Sequence, residues 1–194
     1  MTRSSQPSPQ SSRRMPAAYR NAVRNAPKGV QGGSFVADVD AENTVVFLVG
    51  MRVNRWRRVR SWWPVLAAMP RMLAELEARP DVGLLEARSY WSGRVFLVVQ
   101  HWSSIEALGR FAQDPQLSHQ PAWAAFNRAA AGGGDVGVFH ETYEVPRAGI
   151  ESLYGNMPPF GLALAHGGVA RSGGRRTRAQ DRMGQRDPEY VEAS

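Results

Sequence analysis

Four polar residues on two predicted β-strands are the first candidates for chemistry. Arg52 and Asn54 end the longest β-type run of the sequence, at 44–54, and His140 and Glu141 lie in the middle of a later run, at 136–145. A buried strand that ends in a cation and an amide often delivers them to a cavity, where an imidazole or a carboxylate can act as an acid or a base. We therefore expect these four residues to share one catalytic cavity. The alternative is that Arg52 and Asn54 only mark the solvated end of their strand.

The alternation of strand side chains places His140 and Glu141 on opposite faces, so an ideal strand cannot bring both to one metal ion. Glu141 shares its face with Phe139 and Tyr143, and a carboxylate on an apolar strand is costly unless it is paired. The strand that carries Arg52 is expected beside it. A structural Arg52–Glu141 ion pair is therefore the alternative to an acid–base role.

Aromatic side chains supply a wall for such a cavity. Pockets rich in aromatic groups with a few polar groups suit apolar ligands. The candidate substrate-binding residues are Trp62, Trp63, Trp91, Tyr143 and Asn156. The alternative is that the tryptophans at helical spacing belong to the ordinary core.

Several enzyme classes lack their motifs in this sequence. It contains no HExxH, Walker loop or GxSxG and no cysteine, so serine-hydrolase, P-loop and thiolate-metal chemistry are not supported. The histidines are His101, His119, His140 and His166, and we set His166 aside because it lies at the boundary of a tail.

The order of predicted elements defines the fold. The strand at 44–54 is followed by a helix that Ser61 caps and Pro80 ends. Strands at 84–91 and 94–102 form a hairpin around Ser92-Gly93. A capping box from Ser103 to Glu106 opens a short helix, a second helix runs from Ser118 to about Ala131, and the strand at 136–145 follows.

This β-α-β-β-α-β order predicts an α+β, ferredoxin-like antiparallel sheet with its helices on one face. The strands at 44–54 and 94–102 are apolar on both faces, so the second face needs a cover. A second copy of the same sheet can supply it, which predicts a homodimer.

Charge and composition divide the chain into three parts. Residues 1–33 carry a net charge of +6, residues 34–166 a charge of −1 and residues 167–194 a charge of +2. We expect one domain at 34–166 between disordered tails, and the near-neutral domain disfavours nucleic-acid binding. The locally basic segment at 52–60 is interpreted as a solvated loop and helix entrance. We expect no membrane span or secretory signal, and the absence of cysteine is typical of a cytoplasmic protein.

Four segments carry a resemblance to a known family. They are VVFLVGMRVNRWRRVRSWWPVLAAMPRML, DPQLSHQPAWAAFNR, VGVFHETYEV and NMPPFGL. They resemble a bacterial family of unknown function that is grouped with the fumagillin-pathway polyketide monooxygenase. That family belongs to the dimeric α+β barrel superfamily, with the antibiotic-biosynthesis monooxygenases. The resemblance covers about residues 35–163 and implies the fold and the dimer.

The resemblance also implies a function and a cofactor site. Some relatives are cofactor-free monooxygenases that bind an aromatic or polyketide substrate, and others degrade haem. His119, just before Pro121-Ala122-Trp123, lies in the region of the iron-ligating histidine of the haem-degrading relatives, and imidazole is a good iron ligand. The alternative is a helix-capping or surface histidine. We expect a monooxygenase-like enzyme, cofactor-free or haem-dependent. The alternatives are a non-catalytic dimer that binds a small molecule and a partner-binding protein that uses its basic tail.

Overall fold

The computed structural model describes residues 27–114 and 133–170. These residues form two compact units, one of residues 27–38 with 152–170 and the other within 39–151. The second helix predicted at 118–131, with His119, lies outside the described residues. Most of both predicted tails, at 1–26 and 171–194, lies outside them too. No helix of the described residues is long and apolar enough to cross a membrane.

The described part of the chain contains seven strands and three α-helices. In chain order they are β1 (Gln31–Ala37), β2 (Asn43–Val53), α1 (Val59–Glu77), β3 (Leu84–Ser92), β4 (Val95–Trp102), α2 (Ile105–Gln113), β5 (Val136–Pro146), β6 (Tyr154–Met157), α3 (Leu162–His166) and β7 (Gly168–Ala170). Short 3-10 helices occupy Pro80–Val82 and Arg147–Gly149.

The larger unit contains a four-stranded sheet in the order β3-β4-β2-β5, with every neighbouring pair antiparallel. Val49 of β2 lies opposite Val98 of β4 on one side and opposite His140 of β5 on the other. This is the strand order of a ferredoxin-like sheet. The predicted α+β fold class is therefore confirmed, and β2 is a central strand as its doubly apolar pattern indicates.

Both described helices of this unit pack against the same face of the sheet, which we call the helix side. One core cluster joins Val45 and Trp102 of the sheet to Leu76 of α1 and Leu108 of α2. A second cluster packs Met51, Val53 and Val136 against the first half of α1, where Trp62, Val65 and Leu66 lie. Full burial of each such side chain contributes about 1.5–3 kcal/mol, so these clusters hold α1 and α2 to the sheet.

The helix starts differ from the prediction by three residues for α1 and by one residue for α2. The N-cap of α1 is Arg58, and the Ser61 hydroxyl donates to Asp135 Oδ2 at 3.0 Å instead of capping the helix. The N-cap of α2 is Ser104, whose Oγ accepts from the Ala107 amide at 3.1 Å. Ser103 remains in the preceding turn because its amide donates to the Gly83 carbonyl at 2.9 Å.

The smaller unit is a three-stranded antiparallel sheet in the order β6-β1-β7, with α3 packed on β1. Phe35 is fully buried, and its ring stacks on Tyr154 with centroids 4.8 Å apart. β1 and β7 include residues 31–33 and 168–170, which the composition had assigned to disordered tails. Pairing around Phe35 orders them. His166 is buried in α3 and is not a residue of a tail.

Candidate functional site

His140 is the one predicted acid–base residue on the helix side of the sheet. Its strand neighbours on that side are Val138, which packs in the core, and Thr142, and its ring centroid lies 6.0 Å from that of Phe47. On the same face of β5, Val136 is buried in the core, whereas the His140 side chain is exposed. The imidazole of His140 therefore lies at the edge of an apolar layer.

Glu141 projects from the opposite face, which we call the open side. It lies across from Leu48 on β2, and its Oε2 accepts a hydrogen bond of 2.6 Å from the Tyr143 hydroxyl. That bond and the negative charge of Glu141 favour the neutral phenol, so they raise the pKa of Tyr143 above its usual value. Glu141 thus has a partner on its own strand.

The strand register contradicts the predicted Arg52–Glu141 ion pair. Arg52 lies across from Gly137, four positions from Glu141, which is a separation of about 13 Å along the strand. The Arg52 guanidinium donates instead to the Asn54 side-chain oxygen, and Asn54 Nδ2 donates to the Gly134 carbonyl at 3.0 Å. His140 lies on the other face of the sheet, and the register of β2 and β5 separates Arg52 from Glu141. The four acid–base candidates therefore do not meet at one point.

The predicted tryptophans do form one group. The Trp62 ring contacts those of Trp56 and Trp63 edge to face, with centroids 5.3 and 5.9 Å away. Trp56 stacks on Trp91, with centroids 6.2 Å apart and planes 8° apart, and Trp91 meets Phe96 edge to face. Because Trp62 also packs on Met51 and Val53, this aromatic cluster continues the helix-side core outward.

Two other predicted substrate contacts lie elsewhere. Tyr143 is on the open side with Glu141, and Asn156 belongs to the smaller unit. Asn156 has a positive φ of 51°, and its side-chain oxygen accepts from the Gly33 amide at 2.9 Å. This bond gives Asn156 a structural task in the β1–β6 pair.

A surface pocket of about 410 Å³ opens beside the aromatic cluster. We call it the arginine pocket, and its lining residues are Asn54, Arg55, Trp56, Arg57, Arg58 and Arg94. Sequence reasoning had assigned its loop to solvent and had not singled out Trp56. The signal that could have found it is one aromatic residue among the cations of NRWRR, since an indole and guanidinium groups together suit a planar anion.

Asp135 anchors the wall of the arginine pocket. Its carboxylate accepts from Ser61 and forms an ion pair of 2.9 Å with Arg55. The Ser61 hydrogen bond, followed by the bond and charge of Arg55, outweighs desolvation and holds the pKa of Asp135 below its usual value. Asp135 is thus ionised at neutral pH and offsets Arg55.

A buried polar group on the open side was missed. Glu86 accepts from His101 Nδ1 at 3.1 Å and from Arg88 Nε at 3.2 Å, and the side chains of Glu86 and His101 are 4% and 9% exposed. Burial raises the pKa of Glu86, but the two hydrogen bonds and charges outweigh it and lower that pKa overall. The cost of an unpaired carboxylate on a strand, which singled out Glu141, applies equally to Glu86.

The described residues include no group of three or more histidine, cysteine, aspartate or glutamate side chains that could hold a metal ion. A haem iron needs only one protein ligand, so its site would not depend on such a group. His119, the predicted candidate iron ligand, lies outside the described residues, and the exposed imidazole of His140 lies on the helix side.

Known structures share this architecture. A crystal structure of aldoxime dehydratase in complex with butyraldoxime superposes with a TM-score of 0.56 at 21% identity, covering 66% of this chain and 38% of that chain. A second aldoxime dehydratase structure gives a TM-score of 0.54 at 22% identity, with coverages of 70% and 41%. At these identities the likeness defines the class of fold alone.

The family follows from the sequence match. The model of the Monooxygenase af470-like family matches residues 44–162, so the chain belongs to that family. Monooxygenase af470 of Aspergillus fumigatus is 30% identical over 90 residues, which are 44% of this chain and 31% of the relative. The chain thus matches about a third of the length of that relative. The predicted family resemblance is confirmed.

Proposed function

We propose that the protein is a monooxygenase-like enzyme that acts on a small hydrophobic substrate, an aromatic compound or a polyketide, on the helix side of its sheet. The observation that carries the proposal is the position of His140. An exposed imidazole stands at the edge of an apolar layer that Phe47, Val138 and the aromatic cluster continue. Apolar and aromatic side chains with a few polar groups beside them are the surroundings that suit such a substrate.

In a cofactor-free reaction the substrate itself must supply the electrons that reduce oxygen. His140 Nδ1 or Nε2 would take a proton from an acidic CH₂ group between carbonyl or aryl groups, and the resulting carbanion would reduce O₂ to a carbon-bound hydroperoxide. Loss of water then leaves a carbonyl, so that CH₂ and O₂ become C=O and H₂O without an external reductant. General-base catalysis of this kind contributes about 10²–10⁴-fold in rate.

A haem-dependent enzyme is the other form of the same proposal. Haem would supply iron redox chemistry, with His119 as the residue that would bind the iron, as the family resemblance suggests, and the apolar side chains of the helix side as its surroundings. The absorption spectrum of the protein as purified decides between the two forms, because bound haem gives a Soret band.

The activity test compares two substitutions on opposite faces of one strand. Oxygen uptake with an anthrone or a polyketide that has an acidic methylene group is expected to fall at least about 100-fold in His140→Gln. It should stay within about threefold in Glu141→Gln, whose side chain is committed to Tyr143 on the open side. Circular dichroism melting of both variants checks the fold. Equal losses in both variants, or none in either, would refute His140 as the base. Substrate binding without oxygen uptake by the wild-type protein would instead favour a non-catalytic binding protein.

We also propose that the active form is a homodimer joined through the open side. Half-buried apolar side chains occupy the centre of that face, and they are Val46, Leu48, Leu97, Val99 and Phe139. A second copy of the face would cover them, as expected for a two-fold contact in which the same patch meets itself.

A further inference from the structure

The arginine pocket has the chemistry of an anion site, and the oxygenase proposal does not use it. Its volume of about 410 Å³ falls within the usual range of small-molecule sites. The described residues that line the pocket are four arginines, one asparagine and one tryptophan, and none of them is a carboxylate. The lining therefore selects for negative charge before any shape is considered.

The positive charge of this pocket is only partly neutralised. Arg55 is paired with Asp135, at 2.9 Å. Arg94 donates from Nη1 to the Asn54 carbonyl at 2.6 Å, which fixes the guanidinium but leaves its charge intact. Within the described residues, Arg57 and Arg58 form no ion pair with a carboxylate. Three cationic groups thus remain outside an ion pair, although the charge of Asp135 also acts on Arg58 at longer range.

The start of α1 adds to this field. The helix begins at Val59, directly after Arg58, with no acidic residue in its first turn and no side-chain cap. The partial positive charge of a helix N-terminus favours an anion nearby. The effect is small beside that of the arginines, but it acts in the same direction.

Trp56 gives the pocket an aromatic wall that is already fixed. Its ring lies parallel to Trp91 and edge-on to Trp62. Trp62 Nε1 donates to the Trp56 carbonyl at 3.0 Å, so the backbone is held as well. Trp56 is 36% exposed and can offer its remaining surface to a planar group at little cost in conformational entropy.

We propose that the arginine pocket binds the oxyanion, a carboxylate or a phosphate, of a ligand whose planar aromatic part stacks on Trp56. Arg57 and Arg58 bind the oxyanion, and Arg94 and Asn54 form the floor. Because the proposal concerns binding, it can be tested independently of the oxygenase activity proposed above.

Calorimetric titration and quenching of tryptophan fluorescence test the proposal on the whole protein. The probes are naphthoate, naphthyl phosphate and the uncharged naphthamide. The two anions are expected to bind at least about tenfold more tightly than the amide, since charge-assisted hydrogen bonds are lost with the charge. The tighter of the two anions identifies the carboxylate or the phosphate as the group that the pocket selects.

Matched variants locate the binding. The double variant Arg57→Gln with Arg58→Gln should weaken binding of the anions by at least about tenfold. Arg71→Gln with Arg110→Gln removes the same charge from α1 and α2 outside the pocket and should leave affinity unchanged. Trp56→Leu should weaken binding of naphthoate while leaving that of inorganic phosphate unchanged.

Three results would overturn the proposal. If naphthamide bound as tightly as naphthoate, the oxyanion would not contribute to binding. If the variant of Arg71 and Arg110 lost as much affinity for the anions as the variant of Arg57 and Arg58, the binding would reflect only the net charge of the protein. A single-stranded oligonucleotide could bind much more tightly than the small anions through the same arginines, which would assign the surface to a nucleic-acid backbone.

Discussion

Gly50 in the middle of β2 offers a direct test of how tightly the central sheet is packed. A Cβ added there would lie 2.6 Å from Phe139 Cζ and 2.6 Å from the Phe96 carbonyl oxygen. Phe139 lies directly across from Gly50 on β5, so its ring fills the space that a side chain would need. The ring can turn away, but the carbonyl belongs to the β4 backbone and cannot move without disturbing a central strand.

The expected effect of Gly50→Ala is a loss of about 1–2 kcal/mol in the free energy of unfolding. Overpacking of this kind costs about 1–3 kcal/mol. Replacing a strand glycine by alanine returns about 0.5–1 kcal/mol because the unfolded chain loses freedom. Urea unfolding followed by circular dichroism, at one fixed protein concentration, measures the difference.

Gly109 in α2 is the matched control, because a Cβ added there meets nothing within 4 Å. Gly109→Ala should raise stability by about 0.5–1 kcal/mol. Combining Gly50→Ala with Phe139→Leu separates the steric overlap with the ring from that with the carbonyl. The double variant removes the overlap with the Phe139 ring and keeps the overlap with the Phe96 carbonyl oxygen. If Gly50→Ala were as stable as the wild type while Gly109→Ala gained as expected, the close packing around β2 would be refuted.

Two further predictions concern the open side. The ionised form of Glu86 stabilises the fold above the pKa of the unfolded chain, close to 4.5, and this stability is lost as the pH falls through the lower pKa of the folded state. Glu86→Gln should therefore have a lower free energy of unfolding than the wild type at pH 7. In urea melts below pH 4.5 the difference in that free energy should be smaller. Light scattering should give twice the chain mass of 21.4 kDa, and Leu48→Arg should give a folded monomer; a wild-type monomer at micromolar concentration would refute the dimer.

Local patterns predicted the strands of the larger unit closely. The run expected at 44–54 is the strand Asn43–Val53, and that expected at 136–145 is Val136–Pro146. Alternation of side chains depends only on the chain itself, so it correctly placed His140 and Glu141 on opposite faces. The order of the strands followed because few topologies accommodate a β-α-β-β-α-β chain.

The relative register of strands distant in sequence could not be predicted in the same way. Arg52 and Glu141 do share a face, but their strands pair so that Arg52 meets Gly137. That offset depends on the packing of Val136 and Val138 against Met51 and Val53, which no single strand encodes. Trp56 was missed for a related reason, since its partners Trp62 and Trp91 come from separate elements.

The polar residues of the open side follow one rule that bears on where chemistry takes place. Arg52 bonds Asn54, Glu86 bonds Arg88 and Glu141 bonds Tyr143, in each case two residues further along the chain. Each group therefore has a hydrogen bond within its own strand or directly after it, and Leu48 lies across from Glu141, while Glu86 has an additional partner across the strands in His101.

A face built in this way is less costly to cover, because these polar groups already have hydrogen-bond partners within it. The same local bonds occupy Arg52 and Glu141, and a reaction that used either residue would first have to break them. On the helix side, His140 stands beside Phe47 and Thr142 with its side chain exposed. This difference between the apolar edge beside His140 and a face of locally bonded polar groups favours the helix side for the proposed reaction and the open side for the second copy. It is also the reason why His140→Gln and Glu141→Gln should differ in activity although the two residues are adjacent in sequence.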